Sequence, residues 1–163
     1  MKILYVTTIG LTMIFFKGLV KELIDVGHIV DIACNEETHK VPDCYREWGC
    51  KVYEIDCSRS PLSNGNIRAI RELKRIVYEN HYDIVHCHTP IAGACTRLAC
   101  KDFRKYGVKV FYTAHGFHFY KGAPIKNWLL FYPIEKLCSR FTDTLITINK
   151  EDYSLAKKRM KAE

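Results

Sequence analysis

Apolar residues along this chain follow two patterns that alternate from one end to the other. Short unbroken apolar runs at Lys2–Val6, His28–Cys34, Lys51–Ile55, Asp83–His88, Lys109–His115 and Thr144–Ile148 read as strands buried on both faces. Between them apolar positions recur at helical spacing. Met13–Val26 carries Phe16, Leu19, Val20 and Leu23 on one side. Asn66–Asn80 carries Ile67, Ile70, Leu73, Ile76 and Val77 on one side, with Arg and Lys opposite. Further helices are expected over Pro42–Trp48, from Thr89-Pro90 through Tyr106, over Ile125–Arg140 and after Asn149.

Local punctuation supports these limits. Thr12, Thr89 and Asn149 stand where helix N-caps belong, with Pro90 in a first turn. Gly27, Gly49 and Gly107 stand where helices should close. Thr7–Thr12, Asn35–Lys40, Cys57–Gly65 and Gly116–Pro124 are rich in small or turn-forming residues and read as loops. Strands alternating with helices specify βαβ units. The expectation is an α/β fold: one domain built on a doubly wound, mostly parallel, Rossmann-like sheet of about six strands, covered on both faces. No internal repeat or dividing linker is visible.

Four of the seven histidines fall at two of the predicted strand ends. One segment is Ile84-Val85-His86-Cys87-His88-Thr89-Pro90, the other Thr113-Ala114-His115-Gly116-Phe117-His118. Ligands of open parallel sheets bind outside the carboxyl ends of the strands. Strand alternation puts His86 and His88 on one face and Cys87 on the other. His115 is the candidate catalytic group, able to exchange a proton near neutral pH or to hydrogen-bond a sugar hydroxyl. His88, Gly116 and His118 are candidate binding positions, with His118 expected in the same cleft as His115. The first strand–helix loop, with Ile9, Gly10, Leu11 and Thr12, is a candidate anion-binding turn. It lacks both a GxGxxG and a Walker A pattern.

Composition narrows the chemistry. The chain has 163 residues, 48% hydrophobic and 26% charged, with a net charge of +7, which favours anionic partners. Basic residues are densest in Lys157-Lys158-Arg159-Met160-Lys161. No interleaved aromatic and basic platform points to nucleic acid. Eight cysteines form no CxxC pair and read as reduced core residues, as in a cytoplasmic protein. No apolar stretch reaches the roughly 18 residues of a membrane span. Phe119, Tyr120, Trp128, Leu129, Leu130, Phe131 and Tyr132, among Lys121, Lys126, Lys136 and Arg140, read as helix core first. A peripheral membrane surface on the inner face is the alternative.

Taken in order, the first strand–loop–helix from Lys2, Asp83-Ile84-Val85-His86-Cys87-His88, Tyr112-Thr113-Ala114-His115-Gly116 and Phe141-Thr142-Asp143-Thr144-Leu145-Ile146-Thr147-Ile148-Asn149 form a familiar set. The set resembles the N-terminal, acceptor-side domain of family-four glycosyltransferases, of the capsular or exopolysaccharide type. The resemblance spans nearly the whole chain. It implies one half of a GT-B fold over residues 1–163, with the C-terminal donor-binding domain absent from this chain. It implies a retaining transfer of sugar from a nucleotide-sugar to a saccharide or lipid-linked saccharide, without a metal or other cofactor. His115 matches the family histidine beside the transferred sugar. Ile9-Gly10-Leu11-Thr12 matches the loop against the donor phosphates, often Gly-Gly, where one glycine remains here. The family's pair of glutamates separated by seven residues is not found, so this half alone should not turn over.

Two rival readings stand beside this one. The chain is a non-catalytic binding or anchoring module that pairs with a separate donor-binding subunit, or it is a metal hydrolase built on His86, His88 and His115.

Overall fold

A computed structural model describes residues 1–162. Six strands form one sheet in the order β3-β2-β1-β4-β5-β6, every neighbouring pair parallel. They are β1 (Lys2–Ile9), β2 (Ile29–Asn35), β3 (Val52–Glu54), β4 (Ile84–His88), β5 (Lys109–Ala114) and β6 (Thr144–Thr147). This is a doubly wound parallel sheet of six strands, as expected from the sequence. The strand order reverses between β1 and β4, where Tyr5 pairs with His86 and Val6 with Cys87. Such a reversal is the usual position of a ligand crevice.

The helices are α1 (Lys17–Asp25), α2 (Cys44–Glu47), α3 (Gly65–Asn80), α4 (Pro90–Cys100), α5 (Ile125–Cys138) and α6 (Lys150–Arg159). Several limits expected from the sequence move. The first strand runs on to Ile9, and Gly10–Phe16 is a 3₁₀ segment, so α1 starts at Lys17 and Thr12 caps nothing. The helix expected to reach Tyr106 ends at Cys100 and is followed by a 3₁₀ turn, Phe103–Tyr106. Strand β5 ends at Ala114, one residue before His115. Asn149 does cap α6, its Oδ1 accepting from the Asp152 N–H at 2.8 Å. Gly27, Gly49 and Gly107 close their elements with φ of +87°, +84° and +95°.

Strand alternation divides the core in two. Leu4, Val6, Val85, Cys87, Val110 and Tyr112 face α3, α4, α5 and α6. Ile3, Tyr5, Val30 and Ile32 face the 3₁₀ segment, α1 and α2. The winding is therefore uneven. Among the described residues no helix covers β5 and β6 on the α1 side, and Ile146 there is 38% exposed. The expectation of a sheet covered on both faces holds in full only for β1 and its neighbours.

Beneath the rim, α4 and α5 are joined by an ion pair that the pattern of apolar residues did not reveal. Arg97, 1% exposed, donates from Nη1 to Glu135 Oε2 at 2.8 Å and from Nε to the Gly93 carbonyl at 2.9 Å. Its guanidinium lies 4.0 Å from the centre of the Tyr112 ring, and the Tyr112 hydroxyl donates to Glu135 Oε1 at 3.1 Å. The ring sits so close that a Cβ on Gly93 would lie 2.6 Å from Tyr112 Cε2. Removing one member of a buried pair strands the other charge, at about 3–5 kcal/mol, whereas replacing both with apolar groups costs much less. Arg97→Met should therefore lose about 3–5 kcal/mol in denaturant unfolding. Arg97→Met combined with Glu135→Leu should regain more than half of that loss; equal losses in single and double variants would show that the pairing is not what stabilises this contact.

Candidate functional site

At the carboxyl edge of the sheet, β4 and β5 lie in register with His88 opposite Thr113. Alternation places Tyr5, His86, His88, Thr113 and His115 on the same face, and their side chains meet there. The His86 Nε2 lies 2.8 Å from Thr113 Oγ1. The His88 Nδ1 lies 3.2 Å from His115 Nε2. His86 and His88 have ring centres 4.2 Å apart, Tyr5 stacks on His88 at 5.5 Å, and Phe16 closes over it at 4.2 Å. His88 is 2% exposed, whereas His115 is exposed. Any ligand on this face thus meets His115, with His88 behind it. The two histidine-bearing strand ends singled out in the sequence are joined by a direct contact between their imidazoles.

Burial holds these rings neutral. Desolvation, then the neighbouring His115, pushes His86 down from 6.5 to about 4. Desolvation, then His86 and His115, pushes His88 down to about 2. His115 is also lowered, by burial. Among the described residues no group of three or more His, Cys, Asp or Glu is arranged to hold a metal ion. His86 instead points its Nε2 at Thr113.

A second half of the rim lies across the sheet. Thr8 and Thr89, at the ends of β1 and β4, bring their hydroxyls to 2.7 Å. Thr89 does not cap α4, as its position suggested. Its Oγ1 turns back to the His88 carbonyl, and its backbone sits at φ +67°, ψ 147°. That conformation is rare outside glycine and costs about 1–3 kcal/mol. A cavity of about 270 Å³ opens here, lined by Thr8, Ile9, Thr12, Arg59, Thr89 and His118 among others. The exposed His118 packs against Phe131 with ring centres 4.6 Å apart. His118 thus lines this cavity with the first loop, whereas His115 meets His88, and the turn at Gly116, where φ is +128°, lies between them in the chain.

The first loop is also more constrained than the sequence suggested. Gly10 is buried, and a Cβ there would meet the His39 carbonyl oxygen and the Val41 nitrogen at 2.5 Å. Its packing alone requires glycine. Leu11 is 45% exposed, and Thr12 faces the cavity.

Three contributors went unread in the sequence. Arg59 sat in a presumed loop, yet it lines the cavity as an exposed cation without an ion-pair partner among the described residues. Phe16 looked like helix core and instead covers His88. Asp152, 4% exposed, accepts from the Phe117 N–H at 3.0 Å and from Asn149 Nδ2 at 2.7 Å, and so ties the turn after His115 to α6. Its place three residues after a capping Asn was the signal that could have found it. All eight cysteines are free.

The comparisons with known proteins fit this arrangement. A family model described as "Glycosyl transferase 4-like" matches residues 2–149. The chain belongs to that family. "Putative glycosyltransferase EpsD" of Bacillus subtilis (strain 168) is 50% identical over 132 residues, covering 81% of this chain and 33% of that protein. An "Uncharacterized 41.2 kDa protein in cps region" of Klebsiella pneumoniae is 29% identical over 114 residues, 63% of this chain and 31% of that protein. This glycosyl transferase 4-like chain thus spans about a third of the length of the curated relatives it matches. Among solved structures, the S. aureus MnaA–UDP co-structure aligns over 99% of this chain and 43% of its own, with a TM-score of 0.72 at 14% identity. The Acinetobacter baumannii MurG structure aligns over 90% of this chain and 40% of its own, with a TM-score of 0.60 at 14% identity. These two likenesses establish the Rossmann-like fold.

Two outcomes follow from the rim. Because His86 and His88 are held below 6.5 in the folded state, only the unfolded chain takes up protons as pH first falls below that value. Stability is full above pH 6.5 and is lost below it. Between there and about pH 5 the loss should be about 2–4 kcal/mol in denaturant titrations, and His88→Asn should reduce the slope. A flat profile over that interval would contradict the neutral imidazoles. Separately, Gly10→Ala should cost about 1–3 kcal/mol by overpacking, measured by thermal unfolding without any ligand.

Proposed function

We propose that the chain is the acceptor-side half of a retaining glycosyltransferase. It moves a sugar from a nucleotide-sugar donor to a saccharide or lipid-linked saccharide acceptor, in exopolysaccharide or capsule synthesis on the cytoplasmic side of the membrane. One observation carries this reading: the His88–His115 contact at the carboxyl edge of the sheet, beside the reversal in strand order, in a chain of the glycosyl transferase 4-like family. A second Rossmann-like half, in the same polypeptide or in a separate subunit, supplies the opposite wall and most of the nucleotide contacts.

Within this reading His115 is the catalytic histidine at the transferred sugar. Ile9, Gly10, Leu11 and Thr12 border the donor phosphates, and the Arg59 guanidinium adds positive charge on that side of the rim. His88, Gly116 and His118 shape the acceptor side. The strained Thr89 and the buried Asp152 hold the two strand ends in place before substrate arrives, as preorganisation requires. The similar MnaA structure is a co-structure with UDP, which supports a nucleotide-sugar donor by fold analogy alone.

The lipid-linked form of the acceptor has its own support. Pro90, Ile91 and Phe131 line both the cavity and an adjoining apolar groove of about 360 Å³ between α3, α4 and α5. Leu62, Ile67, Ile70 and Ile134 also line that groove. An amphiphile with its sugar at the cavity would have its hydrocarbon within reach of the groove. No helix among the described residues is long and apolar enough to cross a membrane.

The test is made in the longest natural protein that contains this sequence. His115→Ala should reduce kcat by about two orders of magnitude with unchanged circular dichroism. Turnover at the parent rate would remove His115 from the mechanism and with it this reading. Ile134→Asp should raise KM for a lipid-linked acceptor and leave KM for a short soluble acceptor unchanged.

A further inference from the structure

The contact between His88 and His115 has one proton to place. Each ring is neutral and carries a single N–H, so across the 3.2 Å between His88 Nδ1 and His115 Nε2 one nitrogen donates and the other accepts. The remaining nitrogen of His88 decides which. His88 Nε2 is buried and has no hydrogen-bond partner. Tyr5, His86 and Phe16 enclose the ring. If His88 accepted from His115, its own N–H would be forced onto Nε2 and left without an acceptor in that enclosure. Orphaned buried N–H groups are among the rarest features of folded proteins, while a bare lone pair is tolerated more often. His88 therefore keeps its proton on Nδ1 and donates it to His115.

The consequence falls on the exposed ring. With Nε2 accepting, the proton of His115 must sit on Nδ1. That nitrogen has no partner among the described residues, and the side chain is exposed. We infer that His88 is a positioning residue that fixes the tautomer of His115, so that His115 offers an Nδ1–H to an oxygen of the bound ligand and does not act as its base. The oxygen would be a sugar hydroxyl or a phosphoryl oxygen; either accepts such a bond. The neighbouring rings enforce the choice from all sides. Thr113 occupies His86 Nε2 at 2.8 Å, so that ring does not turn its Nε2 toward His88. Phe16 lies over the ring, and His88 Nε2 is buried, so solvent does not reach an N–H placed there. This assignment of roles rests on His115 facing substrate, as proposed above, but the tautomer itself does not.

The experiment reads the tautomer directly. Full-length protein labelled with nitrogen-15 in histidine is studied by NMR at neutral pH, with imidazole signals assigned through His88→Asn and His115→Gln. In the parent, His115 should show a protonated Nδ1 and a bare Nε2, and His88 the same. A protonated Nε2 on either ring overturns the inference. His88→Asn places an amide N–H where Nδ1 stood, so it should keep His115 in the Nδ1–H form. His88→Leu removes the donor. It should give His115 signals averaged between both tautomers and lower kcat about tenfold or more. If His88→Leu does not fold, the parent spectrum and His88→Asn still decide the matter. The parent tautomers as expected, with His115→Ala fully active, would sink the proposed function and leave the positioning role of His88 standing as a structural fact.

Discussion

Strands β1 and β4 are hydrogen-bonded neighbours whose chains leave the sheet toward opposite faces. The segment after β1 turns toward the α1 side and α4 toward the other. Where they part, no backbone continues the ladder, and the polar groups at both strand ends are left to satisfy one another. The Thr8 and Thr89 hydroxyls do so directly, and Thr89 holds an unfavourable backbone conformation to reach its place. The rim chemistry depends on this divergence. It opens the crevice, sets the two threonines across it, and lets β4 and β5 bring their terminal imidazoles together on one side.

The surroundings of that rim are set for fixed dipoles, not mobile charge. His86 and His88 are kept neutral by desolvation against aromatic rings. An apolar shell of this kind strengthens each remaining electrostatic contact with a ligand. It also makes the site a place where stability is given up at low pH. On the opposite face a full ion pair, Arg97 with Glu135, is buried beneath the floor and locked by Tyr112. Such pairs contribute little net stability but tolerate few alternative arrangements. Here the pair fixes α5 against α4, and through Phe131 it bears on the position of His118.

The uneven covering of the sheet belongs to the same logic. Four helices crowd one face, whereas the α1 side is left open beyond β4. Parallel sheets are normally covered on both faces. Phe16 stands at that border, its ring centre 4.2 Å from that of His88 and 6.1 Å from that of His115. The imidazole pair therefore lies at the border between a closed core and an open sheet face, which is why one ring is sealed and its partner is accessible.

Much of this was legible in the residues alone. Apolar runs of five to seven residues between helical repeats specified six strands, and Gly27, Gly49, Gly107 and Asn149 marked helix ends, because strand burial and capping are decided by near neighbours. The histidines at the strand ends were likewise readable, since alternation fixes the face on which His86 and His88 stand. What tertiary structure alone decided is everything that needs a partner far along the chain. Gly10 is glycine because of residues 39–41, Thr89 abandons its cap for Thr8, Arg97 finds Glu135, and His118 packs on Phe131. No local pattern encodes those outcomes, because each is set by which distant atoms a close-packed interior brings within about 4 Å.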